Sequence, residues 1–161
     1  MYSSTVIFAS QTKLGMMTSI FLILLLSFDF SPDIKQVVQE YHTLETEASE
    51  VSFIDKYHGS HEASVMAYVT SIAMKQAEYS QNPMRKLQLF QENKTILNEL
   101  IDTHPSNIHL RYVRLLSQEN TPDFLGYNEY IEEDKLILKN ILDVEDETDY
   151  LDNFIRANTS L

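Results

Sequence analysis

From residue 31 onward, apolar residues recur at three- and four-residue spacing, and nowhere do they alternate with polar ones over the length of a strand. That period is the mark of amphipathic α-helices, whose buried stripe repeats at i, i+3, i+4 and i+7, so the chain is expected to be all-α. The 3 Gly and 4 Pro among 161 residues point the same way. Such low usage argues against a loop-rich, all-β or Gly-rich nucleotide-binding chain.

The stripes and their punctuation divide the chain. Ser31-Pro32-Asp33 reads as a helix start, with a Ser cap, Pro at the first helical position and an acid in the first turn. Ile34, Val37, Val38, Tyr41 and Leu44 then carry a first helix to about Ala48, and an apolar stretch from Val51 to Tyr57 leads to a turn at Gly59. Ser60 caps a second helix through about Tyr79, with Val65, Met66, Val69 and Ile72 inward. Asn82-Pro83 opens a third, which ends at His104-Pro105 because the residue before proline is pushed out of the helical region.

Ser106 caps a fourth helix holding Ile108, Tyr112, Leu115 and Leu116, and Thr121-Pro122 ends it. The stretch from Asn120 to Tyr127 reads as a loop whose Phe124, Leu125 and Tyr127 fold back on the core, whereas Tyr68 and Tyr79 are expected at the surface. Asn128 caps a fifth helix, and Tyr150, Leu151, Phe154 and Ile155 form a short sixth. Short connections favour antiparallel neighbours. The expected architecture is five to six amphipathic helices in one domain over residues 31–157, with a short tail at 158–161. A domain of this size buries about two thirds of its unfolded surface and needs neither disulfide nor metal. The absence of Cys also excludes thiolate zinc sites, a cysteine nucleophile and a lipobox anchor.

Ahead of the domain, Leu14 to Phe28 carries no charge, follows Lys13 and centres on Ile20-Phe21-Leu22-Ile23-Leu24-Leu25-Leu26. Fifteen helical residues would reach only about 22 Å, short of a hydrocarbon core of about 30 Å, while the apolar run fits a signal h-region. Residues 1–28 are therefore expected to be a signal peptide, with Ser27 the best small residue for cleavage and Met16 and Met17 as alternative starts. An uncleaved membrane anchor and a buried helix remain as alternatives. Export to the periplasm or envelope is the expectation, with membrane contact only through this segment.

The formal charge of −12 disfavours nucleic acid and anionic headgroups, which are bound by clustered Lys and Arg. His58, His61 and Glu62 lie close together, but not at the i, i+4 spacing of a zincin, so they read as a polar helix-entry turn. Six acids between Asp143 and Asp152 fail the calcium-loop spacing, which puts Thr148 where Gly belongs and Phe154 where Glu belongs. They read as a solvated turn favouring the N-terminus of the last helix.

Arg111, Arg114 and Gln118 share a narrow sector beside the apolar face of the fourth helix. Two readings compete for this strip. The guanidiniums form a fork for an anionic ligand, with Tyr127 nearby, or they pair with Glu132, Glu133 or Asp134 on the next helix. No nucleophile elbow, phosphate loop or cofactor motif is present, so no enzyme and no cofactor are implied.

Ile96-Leu97, Leu100-Ile101, His104-Pro105-Ser106-Asn107 and Leu110-Arg111 resemble the second helix of a tetratricopeptide repeat, its closing turn and the next repeat's first helix. With Pro105 as the closing proline, Ser80, Gln81, Met84 and Asn93 depart from the repeat's preferred residues, and no 34-residue period runs through the chain. The stretch from Ile108 to Lys135 is also similar to a group of short exported helical proteins of Bacteroidetes-type bacteria. That resemblance implies export and a helical fold, and no activity. The leading expectation is a non-catalytic interaction module whose partner is another protein, with an apolar concave surface between the second, third and fourth helices. The alternative is a pocket for an anionic small molecule anchored by Arg111 and Arg114.

Overall fold

The computed structural model describes residues 31–161; the N-terminal apolar segment and the cleavage expected at Ser27 lie outside the described residues. Seven α-helices follow one another there: α1 (Ile34–Tyr41), α2 (Glu47–Tyr57), α3 (Ala63–Lys75), α4 (Pro83–Thr103), α5 (Ile108–Glu119), α6 (Ile131–Leu142) and α7 (Asp149–Asn158). Short 3₁₀ turns at Gln76–Tyr79 and Asp123–Leu125 extend α3 and interrupt the loop after α5. No strand occurs among the described residues, and no helix there is long and apolar enough to cross a membrane.

Seven helices replace the expected five to six because the first stops at Tyr41 and the apolar stretch from Val51 to Tyr57, expected only to lead into the Gly59 turn, is itself helical. The Thr46 side chain accepts from the Ser49 backbone while the Ser49 hydroxyl accepts from the Thr46 backbone, a capping box that starts α2 close to the expected end of the first helix. Other starts also fall later than expected. Asp33 rather than Ser31 caps α1, Asn107 rather than Ser106 caps α5, and α3 and α6 begin after Glu62 and Tyr130 with no side-chain cap. Ser60 instead receives the Glu62 backbone N–H at 3.1 Å. Asn82 caps α4 as expected, accepting from the backbone of Met84 and Arg85, with Pro83 in the first turn.

Two helices form the centre. α3 packs against α1, α2, α4 and α5, and is buried on nearly every side through Val65, Ala67, Tyr68, Val69, Ile72 and Met74. That position corrects the surface expectation for Tyr68, which is 0% exposed. Every residue of α5 from His109 to Leu115 is buried, with α6 and α4 packed against it. A helix wrapped in this way turns its polar side chains inward, where each needs a partner. Phe53 of α2, Leu97 of α4, Leu138 of α6 and Leu151 and Ile155 of α7 complete the core.

Glu50 of α2 is 0% exposed and ties that helix to the end of α3. It receives Lys75 Nζ at 2.7 Å, Gln76 Nε2 at 2.7 Å and Tyr79 Oη at 3.2 Å. Glu50→Gln keeps the shape but replaces one acceptor oxygen with a donor that faces donors, at an expected cost of about 1–3 kcal/mol. The urea midpoint measures it, and an unchanged midpoint would show that this carboxylate contributes nothing to holding α2.

Candidate functional site

Two places in the domain are candidates for a functional site. The first is the arginine strip. Arg114 grips Asp134 bidentately, Nε to Oδ2 at 2.6 Å and Nη2 to Oδ1 at 2.7 Å. Arg111 donates through Nη1 to Glu133 at 2.6 Å and to Asp134 at 3.1 Å, and through Nε to the Pro105 carbonyl at 3.2 Å. Asp134 is fully buried, Arg111 and Arg114 nearly so, and the Arg114 guanidinium also lies 4.1 Å over the Tyr130 ring. Burial opposes the charge of Arg114, but the hydrogen bond and charges of Asp134 and Glu133 outweigh it and raise its pKa.

The strip thus sits inside the protein, not beside the apolar face as expected. Of the three acids named as partners, Glu133 and Asp134 bind the arginines, while Glu132 is exposed and approaches only Lys135. Gln118 and Tyr127 are buried as well. Neither the Gln118 amide nor the Tyr127 hydroxyl has a hydrogen-bond partner among the described residues. Burial raises the Tyr127 pKa, against the lowering influence of the Arg114 charge. Its ring packs edge-on against Phe90, with Lys94 Nζ 5.0 Å from its centroid.

The loop after α5 delivers only part of its apolar content to the core. Gly126 adopts φ +61°, a left-handed conformation that glycine tolerates best, and turns the chain so that Tyr127 is buried and Leu125 packs beside it. Phe124 departs from the expectation, for it is 86% exposed.

The second place is a cleft of about 830 Å³ where the end of α3, the first turns of α4 and the end of α5 converge. Pro83, Lys86, Leu87 and Phe90 line it from α4, at the spacing of a single helix stripe. Ile72 and Met74 face it from α3, Leu116 from α5, and Phe124 and Leu125 from the loop. The end of α1 closes it with Tyr41, His42 and Leu44. The apolar concavity expected between the second, third and fourth predicted helices is therefore present, but Arg111, Arg114, Gln118 and Tyr127 do not line it.

At one side of the cleft Tyr41 Oη, Ser71 Oγ and Ser117 Oγ form a chain, 3.0 Å and 3.3 Å apart. His42 stands beside it, its Nε2 2.9 Å from Tyr112 Oη. Burial lowers the His42 pKa to about 4, so the ring is neutral near pH 7. These polar groups escaped the sequence reading because His42 and Tyr112 lie 70 residues apart. The one local sign was Phe124, an apolar residue in a Pro- and Gly-bounded loop.

His58 Nδ1 lies 2.9 Å from the Asp55 carbonyl, at the end of α2. No group of three or more potential ligands able to hold a metal is assembled among the described residues. In the acidic run, Asp146 accepts from the Thr148 backbone and Asp149 from the Asp146 backbone, forming an exposed turn into α7. No family model, curated protein or solved structure matches the chain.

Proposed function

We propose that this chain is a non-catalytic protein-interaction module of the cell envelope, exported by its N-terminal apolar segment, which receives an apolar segment of another protein in the cleft between α3, α4 and α5. The cleft carries the reading. It is lined mainly by apolar side chains, and Leu87 and Phe124 remain 45% and 86% exposed at its edge, where a partner would cover them. A helix laid in a groove between paired helices is a recurring recognition mode. The α4–α5 hairpin, with its His104-Pro105 turn, would present that groove in a TPR-like manner.

The alternative, an anionic small molecule held by Arg111 and Arg114, has less support. Both guanidiniums already meet the buried carboxylate of Asp134, and neither reaches the cleft.

Photocrosslinking in intact cells tests the proposal. A benzophenone side chain at Leu87 or Phe124 is expected to give a discrete adduct in the envelope fraction. The same group at Val144, which is 57% exposed but away from the cleft, is expected to give none. Identical adducts from all three positions would end the groove reading. An intact N-terminus recovered from the cytosol would end the assignment to the envelope.

A further inference from the structure

His42 and His109 are the histidines that the fold covers, and both meet the last helix. His109 of α5 lies between two phenols, Tyr68 Oη of α3 at 2.8 Å from Nδ1 and Tyr150 Oη of α7 at 2.9 Å from Nε2. His42, at the end of α1, stacks on Phe154 of α7 with centroids 4.5 Å apart and planes at 13°. Tyr112 Oη of α5 joins this pair, 2.9 Å from His42 Nε2 and 3.2 Å from the Phe154 carbonyl. The seam along which α7 sits is thus built on two imidazoles.

Neither ring has a counter-ion. No ion pair among the described residues involves His42 or His109. His109 faces Tyr68 and Tyr150, and the charges nearest Tyr150 are Lys35, 4.8 Å from its ring centroid, and Asp33, which are exposed and opposite in sign. His42 faces Tyr41, Tyr112 and Phe154, with Asn158 of α7 on the same cleft wall, and Lys75 near Tyr41 is bound to Glu50. A protonated His109 can still donate to both phenol oxygens, so a proton costs it no hydrogen bond. The cost is that of a buried charge with no opposite charge beside it, and water removes that cost once α7 has left. Burial accordingly lowers both pKa values to about 4.

α7 is also the helix best placed to leave. It comes last, follows an exposed turn from Asp143 to Glu147, and buries only Leu151 and Ile155 of its ten residues. Besides the histidine seam, its end of the chain is tied by Arg156 to the Leu142 carbonyl at 3.3 Å and by Ser160 to Glu119. Chain ends with few buried side chains are where local opening begins, whereas α3 and α5 are enclosed by their neighbours.

We propose that α7 is an acid-sensitive latch: proton uptake by His42 and His109 favours a form in which the last helix has lifted from α1 and α5 while the helices before it stay folded. His42 and Asn158 both line the cleft, so the same movement widens its α1 end. The latch stands whatever enters the cleft.

Amide hydrogen exchange on the full chain at pH 7, 6 and 5, corrected for the intrinsic rate at each pH, reads the opening of each helix. Amides from Leu151 to Arg156 are expected to open more often than those from Val65 to Ile72 at every pH. Their opening constant should rise about 20-fold between pH 7 and pH 5 for His109 alone, and further with His42. Urea below about 1 M should hardly change it, because little surface is exposed, while α3 opens only in a urea-sensitive, global step. His42→Phe keeps a ring against Phe154 and should leave only the His109 share of the rise; His109→Gln should leave only the smaller His42 share. Should His109→Gln fail to fold, the unmodified chain and His42→Phe carry the test. Opening of α7 in step with α3 at every pH and urea concentration would overturn the latch, since the helix would then leave only with the whole domain. An α7 opening independent of pH, or a rise unchanged by the substitutions, would overturn it equally.

Discussion

Asp134→Ala is expected to lower the free energy of unfolding by about 3–5 kcal/mol, because it strands two guanidiniums in the interior. Arg111 and Arg114 have side chains 8% and 3% exposed, and after the change only the half-exposed Glu133 would face them. For a domain of this size the loss corresponds to roughly 10–20 °C in Tm. The penalty lies in the unpaired charges more than in the pairing itself. Replacing all three residues together, Arg111→Met, Arg114→Leu and Asp134→Leu, is therefore expected to cost far less than the single change. Calorimetry on both variants decides the matter. A single-variant loss below about 1 kcal/mol would mean that water or Glu133 reaches the guanidiniums, and the strip could then be reconsidered as an anion site.

The helical fold was legible because its cause is local: a stripe of apolar side chains at a period of 3.6 reads the same in the isolated segment and in the domain. Helix starts were less legible for an equally local reason. Neighbouring polar residues such as Ser106 and Asn107 can both cap, and small differences in backbone angle decide which one does. The Thr46 to Ser49 box was overlooked because the Ile34 to Leu44 stripe runs almost up to it in nearly continuous phase. The arginine strip shows where a single-helix reading fails. A helical wheel placed Arg111, Arg114 and Gln118 beside the apolar face, correctly for one partner helix, but α4 and α6 both pack on α5, so that flank is interior too. Tyr68 was misjudged in the same way on α3. His42 was invisible because its role depends on Tyr112 and Phe154, residues that only the tertiary fold brings to it.

Between pH 7 and pH 5 the domain is expected to lose stability steeply, before its many carboxylates begin to titrate. His109 bridges two phenols, Nδ1 to Tyr68 Oη at 2.8 Å and Nε2 to Tyr150 Oη at 2.9 Å, and is 6% exposed. Burial lowers its pKa to about 4, and burial lowers that of His42 to about 4 as well. In the unfolded chain both return to about 6.5, so between pH 6.5 and pH 4 the unfolded state binds protons that the native state refuses. Stability is then complete above about pH 6.5 and falls as pH falls, with a limiting slope of about 1.4 kcal/mol per pH unit for each histidine. The loss for His109 approaches about 3 kcal/mol near pH 4. His42 contributes less, because its partial exposure lets water screen the charge. Glu40 and Glu119 titrate elsewhere. Although burial opposes their charge, hydrogen bonds with Lys56 and Tyr57 at Glu40, and with Ser160 and Lys135 at Glu119, lower both pKa values, so their losses begin as pH falls into the ordinary carboxylate range, below the histidine window, and continue beneath it. Urea midpoints at half-unit steps from pH 7.5 to 4, together with the imidazole proton resonances, separate the two groups. Histidine resonances of the folded chain that all titrate near pH 6.5, or a flat midpoint down to pH 5, would show that neither ring is held in the interior as described. If the slope is present and His109→Asn removes the larger part of it, the bridge between Tyr68 and Tyr150 accounts for that share, and the remainder belongs to the neutral imidazole beside the cleft.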